Sequence, residues 1–133
     1  MTRRRRILVV DDDATLRETM AEVLTEDGFE VHGARNGQEA LDLLEEWPAD
    51  LVVLDLMMPI MDADAFNAAQ LKAGRRTPIL IVSAAPHLTE AADRLGAVGV
   101  IAKPFRIRDL REQVTRGLSM EPRAVPPEPR DPK

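Results

Sequence analysis

Five short runs of mostly branched apolar residues recur along this chain: Ile7–Val10, Phe29–Val31, Leu51–Leu54, Pro78–Val82 and Val98–Ala102, with starts 20 to 27 residues apart. That interval holds one strand plus one crossover helix, the unit that joins parallel neighbours in a sheet. The stretches between them carry apolar residues at helical spacing: Leu16, Met20, Val23 and Leu24; Ala40, Leu41, Leu44 and Trp47; Leu88, Ala91, Ala92 and Leu95; Ile107, Leu110, Val114 and Leu118. Asp64–Ala73 is a weaker helical segment whose apolar positions are Phe66, Ala69 and Ala73. Gly28, Pro48, Gly74 and Gly96 stand where these helices should stop. Five βα units predict an α/β fold, a doubly wound parallel sheet with helices on both faces. Ile7–Val10, Leu51–Leu54 and Ile79–Val82 are apolar throughout, as strands covered on both sides must be.

Composition narrows the class. At 133 residues the chain is one domain's length and buries roughly two-thirds of its unfolded surface, so it needs no staples. It has no cysteine, which excludes disulfides and thiol chemistry, and its 3% aromatic content argues against a stacking surface for single-stranded nucleic acid. A net charge of −5 would repel polyanions, so we expect no direct nucleic-acid binding. The run Arg3–Arg6 is read as a solvated lead-in. No apolar run reaches membrane-spanning length, and we expect a soluble cytoplasmic protein without membrane contact. From Ser119 to Lys133 there are five of the ten prolines and little to bury, so residues 1–118 are taken as the domain and 119–133 as a proline-rich disordered tail. No output domain is expected after Leu118, and the initiating Met1 with the proline-rich ending favours a complete or near-complete N-terminal unit.

In open α/β sheets ligands bind beyond the carboxyl ends of the strands, so the residues that follow each apolar run carry the function. The first run ends in Asp11-Asp12-Asp13, the third in Asp55, the fourth in Ser83 and the fifth in Lys103-Pro104. If the first and third strands are neighbours, about 4.8 Å apart, their carboxylates crowd one small space. Repulsion there is relieved by a hard divalent cation and an ammonium, and Mg²⁺ accepts few carboxylates while keeping waters and phosphate oxygens. Carboxylate, metal, lysine and hydroxyl together make a phosphoryl-transfer site. Asp13 is placed as the N-cap of the helix starting near Ala14, and His32 and His87 have no partner at metal-ligand spacing.

The segments ILVVDDD, LVVLDLMMPIMD, PILIVSA and GVIAKPF, in this order, make residues 7–118 resemble the receiver domain of two-component response regulators. The resemblance implies a single-domain (βα)5 fold with flavodoxin-like strand order 2-1-3-4-5. It implies Asp55 as the phospho-acceptor, with Asp11, Asp12, Asp55 and the backbone carbonyl of Met57 as ligands of a Mg²⁺ cofactor. Lys103 would pair with Asp55 and then with a phosphoryl oxygen, Ser83 would bond the phosphoryl group, and Pro104 would form the cis-proline turn that aims the lysine. The implied partners are a sensor histidine kinase or histidine phosphotransfer protein and a downstream protein; homodimerisation is left open. Such a domain is a switch rather than an enzyme with turnover on a free substrate.

Three departures from the pattern involve four positions. Val100 stands where many relatives carry the Tyr or Phe that swings inward, so the usual rotamer switch is missing. Ala63 replaces a common Gly, which denies that loop easy access to positive φ. Met57 and Ala85 occupy the positions that orient the hydrolytic water in relatives, so slow loss of the phosphoryl group is expected. Two other readings compete. One is a phosphorylation-independent interaction module with the same fold. The other is a haloacid-dehalogenase-type phosphatase, whose DxDxT motif Asp11, Asp13 and Thr15 satisfy, with Asp11 as nucleophile and Asp13 as general acid.

Overall fold

The computed structural model describes residues 4–119. Its elements alternate in chain order: β1 (Arg6–Val10), α1 (Ala14–Glu26), β2 (Glu30–Ala34), α2 (Gly37–Glu46), β3 (Leu51–Leu54), α3 (Ala63–Lys72), β4 (Ile79–Ser83), α4 (Leu88–Leu95), β5 (Gly99–Ala102) and α5 (Ile107–Ser119). The strands form one parallel sheet in the order β2-β1-β3-β4-β5. The fold class and strand order are therefore as expected.

Strand alternation divides the core in two. Leu8, Val10, Val52, Leu54, Ile79 and Ile81 face Leu44 of α2, Phe66 of α3 and Leu95 of α4. Ile7, Val9, Leu51, Val53, Leu80 and Val82 face Met20 and Leu24 of α1 and Leu110 and Val114 of α5. Each fully buried aliphatic side chain stabilises the fold by roughly 1.5–3 kcal/mol, whereas a typical hydrogen bond contributes about 1 kcal/mol net. Packing thus fixes the layers, and capping fixes where the chain enters and leaves them. Asp13, Asn36 and Asp62 each accept a hydrogen bond from the N–H three residues on, at the starts of α1, α2 and α3. α4 starts differently: its N-cap, His87, is left-handed at φ 59° and makes no side-chain cap.

The differences from expectation have local causes. β2 starts after Phe29 and runs on to Ala34, an edge strand whose His32 and Gly33 are exposed. β4 and β5 start one residue later than the apolar runs, at Ile79 and Gly99. α3 starts at Ala63 and buries Phe66 with the polar Asn67 and Gln70, while Ala73 caps the helix and is exposed. Gln70 belongs inside because its Nε2 donates to the Thr77 carbonyl at 3.2 Å, tying α3 to the segment that leads into β4. Arg6 is no solvated lead-in. It opens β1, takes Asp50 Oδ2 on its N–H at 2.7 Å, pairs with Glu30 and lies 5.2 Å above the Trp47 ring, which also stacks on His32. Arg3 and residues 120–133 lie outside the described residues, and α5 carries the fold one residue past Leu118 into the expected tail. Among the described residues no helix is long and apolar enough to cross a membrane.

Candidate functional site

The β1–β3 register pairs Val10 with Leu54, so the next residues on each strand, Asp11 and Asp55, leave the sheet side by side. Asp55 N–H donates to the Val10 carbonyl at 3.1 Å and Asp11 N–H to the Ala34 carbonyl at 3.1 Å, extending the ladders by one bond on each side of β1. Both aspartates are buried, whereas Asp12 is exposed, and the three offer carboxylate oxygens within 4.8 Å of one another. At the other end of the sheet Ser83 pairs with Ala102, and the Lys103 N–H donates to the Ser83 carbonyl at 2.9 Å. From there Lys103 reaches across β4 to the acids. Its Nζ donates to Asp11 Oδ2 at 2.9 Å and to Asp55 Oδ2 at 3.0 Å.

Every atom of Asp11 that can bond is engaged. Oδ1 accepts from the Asp13 N–H at 2.9 Å, Oδ2 from Lys103, and the carbonyl oxygen from Arg17 Nη1 at 2.8 Å. Asp55 Oδ1 accepts from the Met57 N–H at 3.0 Å. Burial pulls the Lys103 ammonium toward its neutral form, but the hydrogen bonds to Asp11 and Asp55 outweigh this and hold its pKa above the ordinary lysine value. Lys103 is therefore a fixed positive charge. One ammonium among three carboxylic groups leaves the cluster acidic, and the Arg17 guanidinium reaches only the Asp11 carbonyl oxygen. Hard oxygen donors, surplus acid and one exposed carboxyl group fit a divalent cation such as Mg²⁺ and fit no soft metal.

Ser83 is fully buried, and its Oγ accepts from the Ala85 N–H at 3.2 Å, which leaves the hydroxyl proton uncommitted by that bond. The Lys103–Pro104 peptide bond is cis. Asp13 caps α1 as expected, its carboxylate accepting from Leu16 N–H at 3.1 Å. Met57 is 62% exposed. In the loop after it, positive φ falls on Ile60, at 72°, and not on Ala63, which is a buried helical residue; the Gly-to-Ala departure therefore costs this loop nothing. The Arg17 contact was not foreseen, because Gly33 lies beyond the apolar run Phe29–Val31 and only the structure shows it inside a strand, where a glycine marks close approach to the backbone. Beside Lys103, the residues Leu16, Thr19, Met20, Pro104, Phe105 and Ile107 line an open apolar cleft of about 450 Å³ between α1 and the start of α5.

The profile of the response regulator receiver domain matches residues 7–115. This chain belongs to the receiver domain family. The receiver is 41% identical over 119 residues to the transcriptional regulatory protein PdtaR of Mycobacterium tuberculosis, a match covering 86% of this chain and 57% of that protein. It is 39% identical over 107 residues to the response regulator MprA of Mycolicibacterium vanbaalenii, covering 79% of this chain and 46% of that one. It thus spans about half the length of these relatives. Among solved structures, the receiver superposes on chemotaxis protein CheY4 of Vibrio cholerae with a TM-score of 0.78 at 29% identity, over 86% of this chain and 98% of that one. On TrrA of Thermotoga maritima, solved in complex with Mg²⁺ and BeF, the TM-score is 0.75 at 33% identity, over 85% and 98% of the two chains. The phosphatase and phosphorylation-independent readings are not favoured by these likenesses.

Proposed function

We propose that this receiver takes a phosphoryl group from the phosphohistidine of a sensor histidine kinase or phosphotransfer protein onto Asp55. The convergence of Asp11, Asp12 and Asp55 with Lys103 at the carboxyl ends of β1, β3 and β5 carries this reading. A carboxylate oxygen of Asp55 attacks phosphorus in line with the donor P–N bond. That bond breaks, its electron pair stays on the imidazole nitrogen, and an acyl phosphate forms on Asp55. Lys103, already held as an ammonium, exchanges its contact with the Asp55 carboxylate for one with a phosphoryl oxygen. Ser83 supplies its uncommitted hydroxyl proton to a second phosphoryl oxygen. Asp11, Asp12, Asp55 and the Met57 carbonyl would hold Mg²⁺, which when bound offsets the negative charge of the transferring group. That TrrA was solved with Mg²⁺ and BeF supports the same use of these acids here.

The cleft beside Lys103 gives the donor protein an apolar surface next to the acceptor. The product adds nearly two negative charges beside Ser83 and Lys103, and the β4–α4 loop is the element they bias. The domain then acts as a cytoplasmic switch on a downstream protein and turns over no free substrate. Treatment with acetyl phosphate and Mg²⁺, followed by mapping of the adduct, tests the proposal. One phosphoryl group on Asp55, absent from Asp55→Asn, is the expected result; modification of Asp11, or none at all, overturns it.

A further inference from the structure

Glycine is a poor strand former, so Gly33 in the interior of β2 calls for a cause. A Cβ built there would lie 3.1 Å from Arg17 Cδ, 3.2 Å from Cγ and 3.4 Å from Nε. Gly33 has an ordinary backbone conformation, so what it supplies is space and not a left-handed turn. Through that space the half-buried Arg17 side chain crosses from α1 over β2 and ends with Nη1 2.8 Å from the carbonyl oxygen of Asp11. That carbonyl is where β1 stops pairing with β2: the Asp11 N–H still bonds Ala34, but its carbonyl oxygen accepts from a side chain. The peptide that Arg17 holds joins Asp11 to Asp12, two of the three clustered acids.

We propose that Arg17, seated in the notch left by Gly33, is a positioning residue that fixes the Asp11–Asp12 peptide and thereby presents both carboxylates to a divalent cation. The inference rests on the metal reading of Asp11 and Asp12. A guanidinium suits the task because it stays charged and its planar fork loses little freedom on binding. Outer supports of this kind commonly change metal affinity by about 10–100-fold.

Removing Arg17 also removes a positive charge near the acids, which by itself would strengthen cation binding. The decisive variant therefore keeps the charge and blocks the seat. Gly33→Val puts a strand-favouring residue on β2 and displaces the arginine. We expect it to melt no lower than the wild type without metal, yet to bind Mg²⁺ roughly tenfold more weakly by calorimetric titration. The amide resonance of Asp12, which follows the carbonyl concerned, should shift in the metal-free protein. In an Arg17→Met background the same Gly33→Val change should leave affinity unaltered. Equal affinity of wild type and Gly33→Val, or an equal loss in both backgrounds, overturns the role of Arg17. Failure of the wild type to bind Mg²⁺, or binding indifferent to Asp12→Asn, overturns the metal reading and this inference with it.

Discussion

The two ends of the candidate site are held in different ways. Where β1 and β3 end, Asp11 is fixed by four hydrogen bonds and Asp55 by three, all but the shared lysine drawn from chain close to the acids or from the adjoining strand and helix. Where β4 leads into α4, the Ser83 backbone is held by β5, its carbonyl accepting from Lys103 N–H, but its Oγ accepts a single bond, from Ala85 N–H. The helix that follows has eight residues, an uncapped left-handed start and a buried face of Ala91, Ala92 and Leu95. Its tie to α3 is the Arg94–Asp64 pair, at 2.7 Å but with both side chains more than half exposed. Small buried side chains give up less apolar area when they move, and an exposed pair contributes little. The acid end is over-determined, and the end where β4 runs into α4 is lightly fastened; under the proposed function the first would do the chemistry and the second would report it.

The sharpest way to break this contrast is Lys103→Met. It leaves two buried carboxylates facing each other, so we expect a loss of about 2–4 kcal/mol without metal, partly restored by Mg²⁺. Urea denaturation with and without Mg²⁺ measures both, and an unchanged midpoint would remove the lysine from the centre of the site. Next in size is the lifetime of the phosphoryl group. Neither Met57 nor Ala85 can orient water through its side chain, so Met57→Asn with Ala85→Glu should hasten acyl-phosphate decay about tenfold or more, a change of about 1.4 kcal/mol in barrier. Decay within seconds in the wild type, or no response in the double variant, contradicts this.

Ile60 is a smaller test within the acid end itself. A β-branched residue at φ 72° is strained, and this one is 82% exposed, so little packing is lost on replacement. Ile60→Gly should raise stability by about 0.5–1 kcal/mol, read as a higher denaturation midpoint. The smallest global effect is expected for Arg94→Ala, below about 1 kcal/mol. Its local effect should be plain: amides of α4 exchange faster while those of α1 do not change. Uniform acceleration in both helices would show that α4 is no more weakly fastened than the rest.

Much of this was legible because the informative residues are local. The unbroken apolar runs of β1, β3 and β4 leave no other way to be buried, and the acids and lysine that follow them are carried to one edge by strand geometry. What was illegible depends on partners distant in sequence. The buried Gln70 reads as a surface residue until Thr77 is seen beside it, and Arg6 reads as a free charge until Glu30, Asp50 and Trp47 surround it. The polar, glycine-bearing part of β2 has a weak strand pattern because an edge strand need not be apolar on both faces. Arg17 belongs to the same class, since nothing in its own helix announces a bond to the strand before it.

The lysine that steadies two central acids grows from β5, which is bordered by β4 alone. An anion newly attached to residue 55, as proposed, would pull on a marginal ribbon hydrogen-bonded along a single side. Such a ribbon would yield more readily than the middle of the sheet, and the tug would register at the periphery.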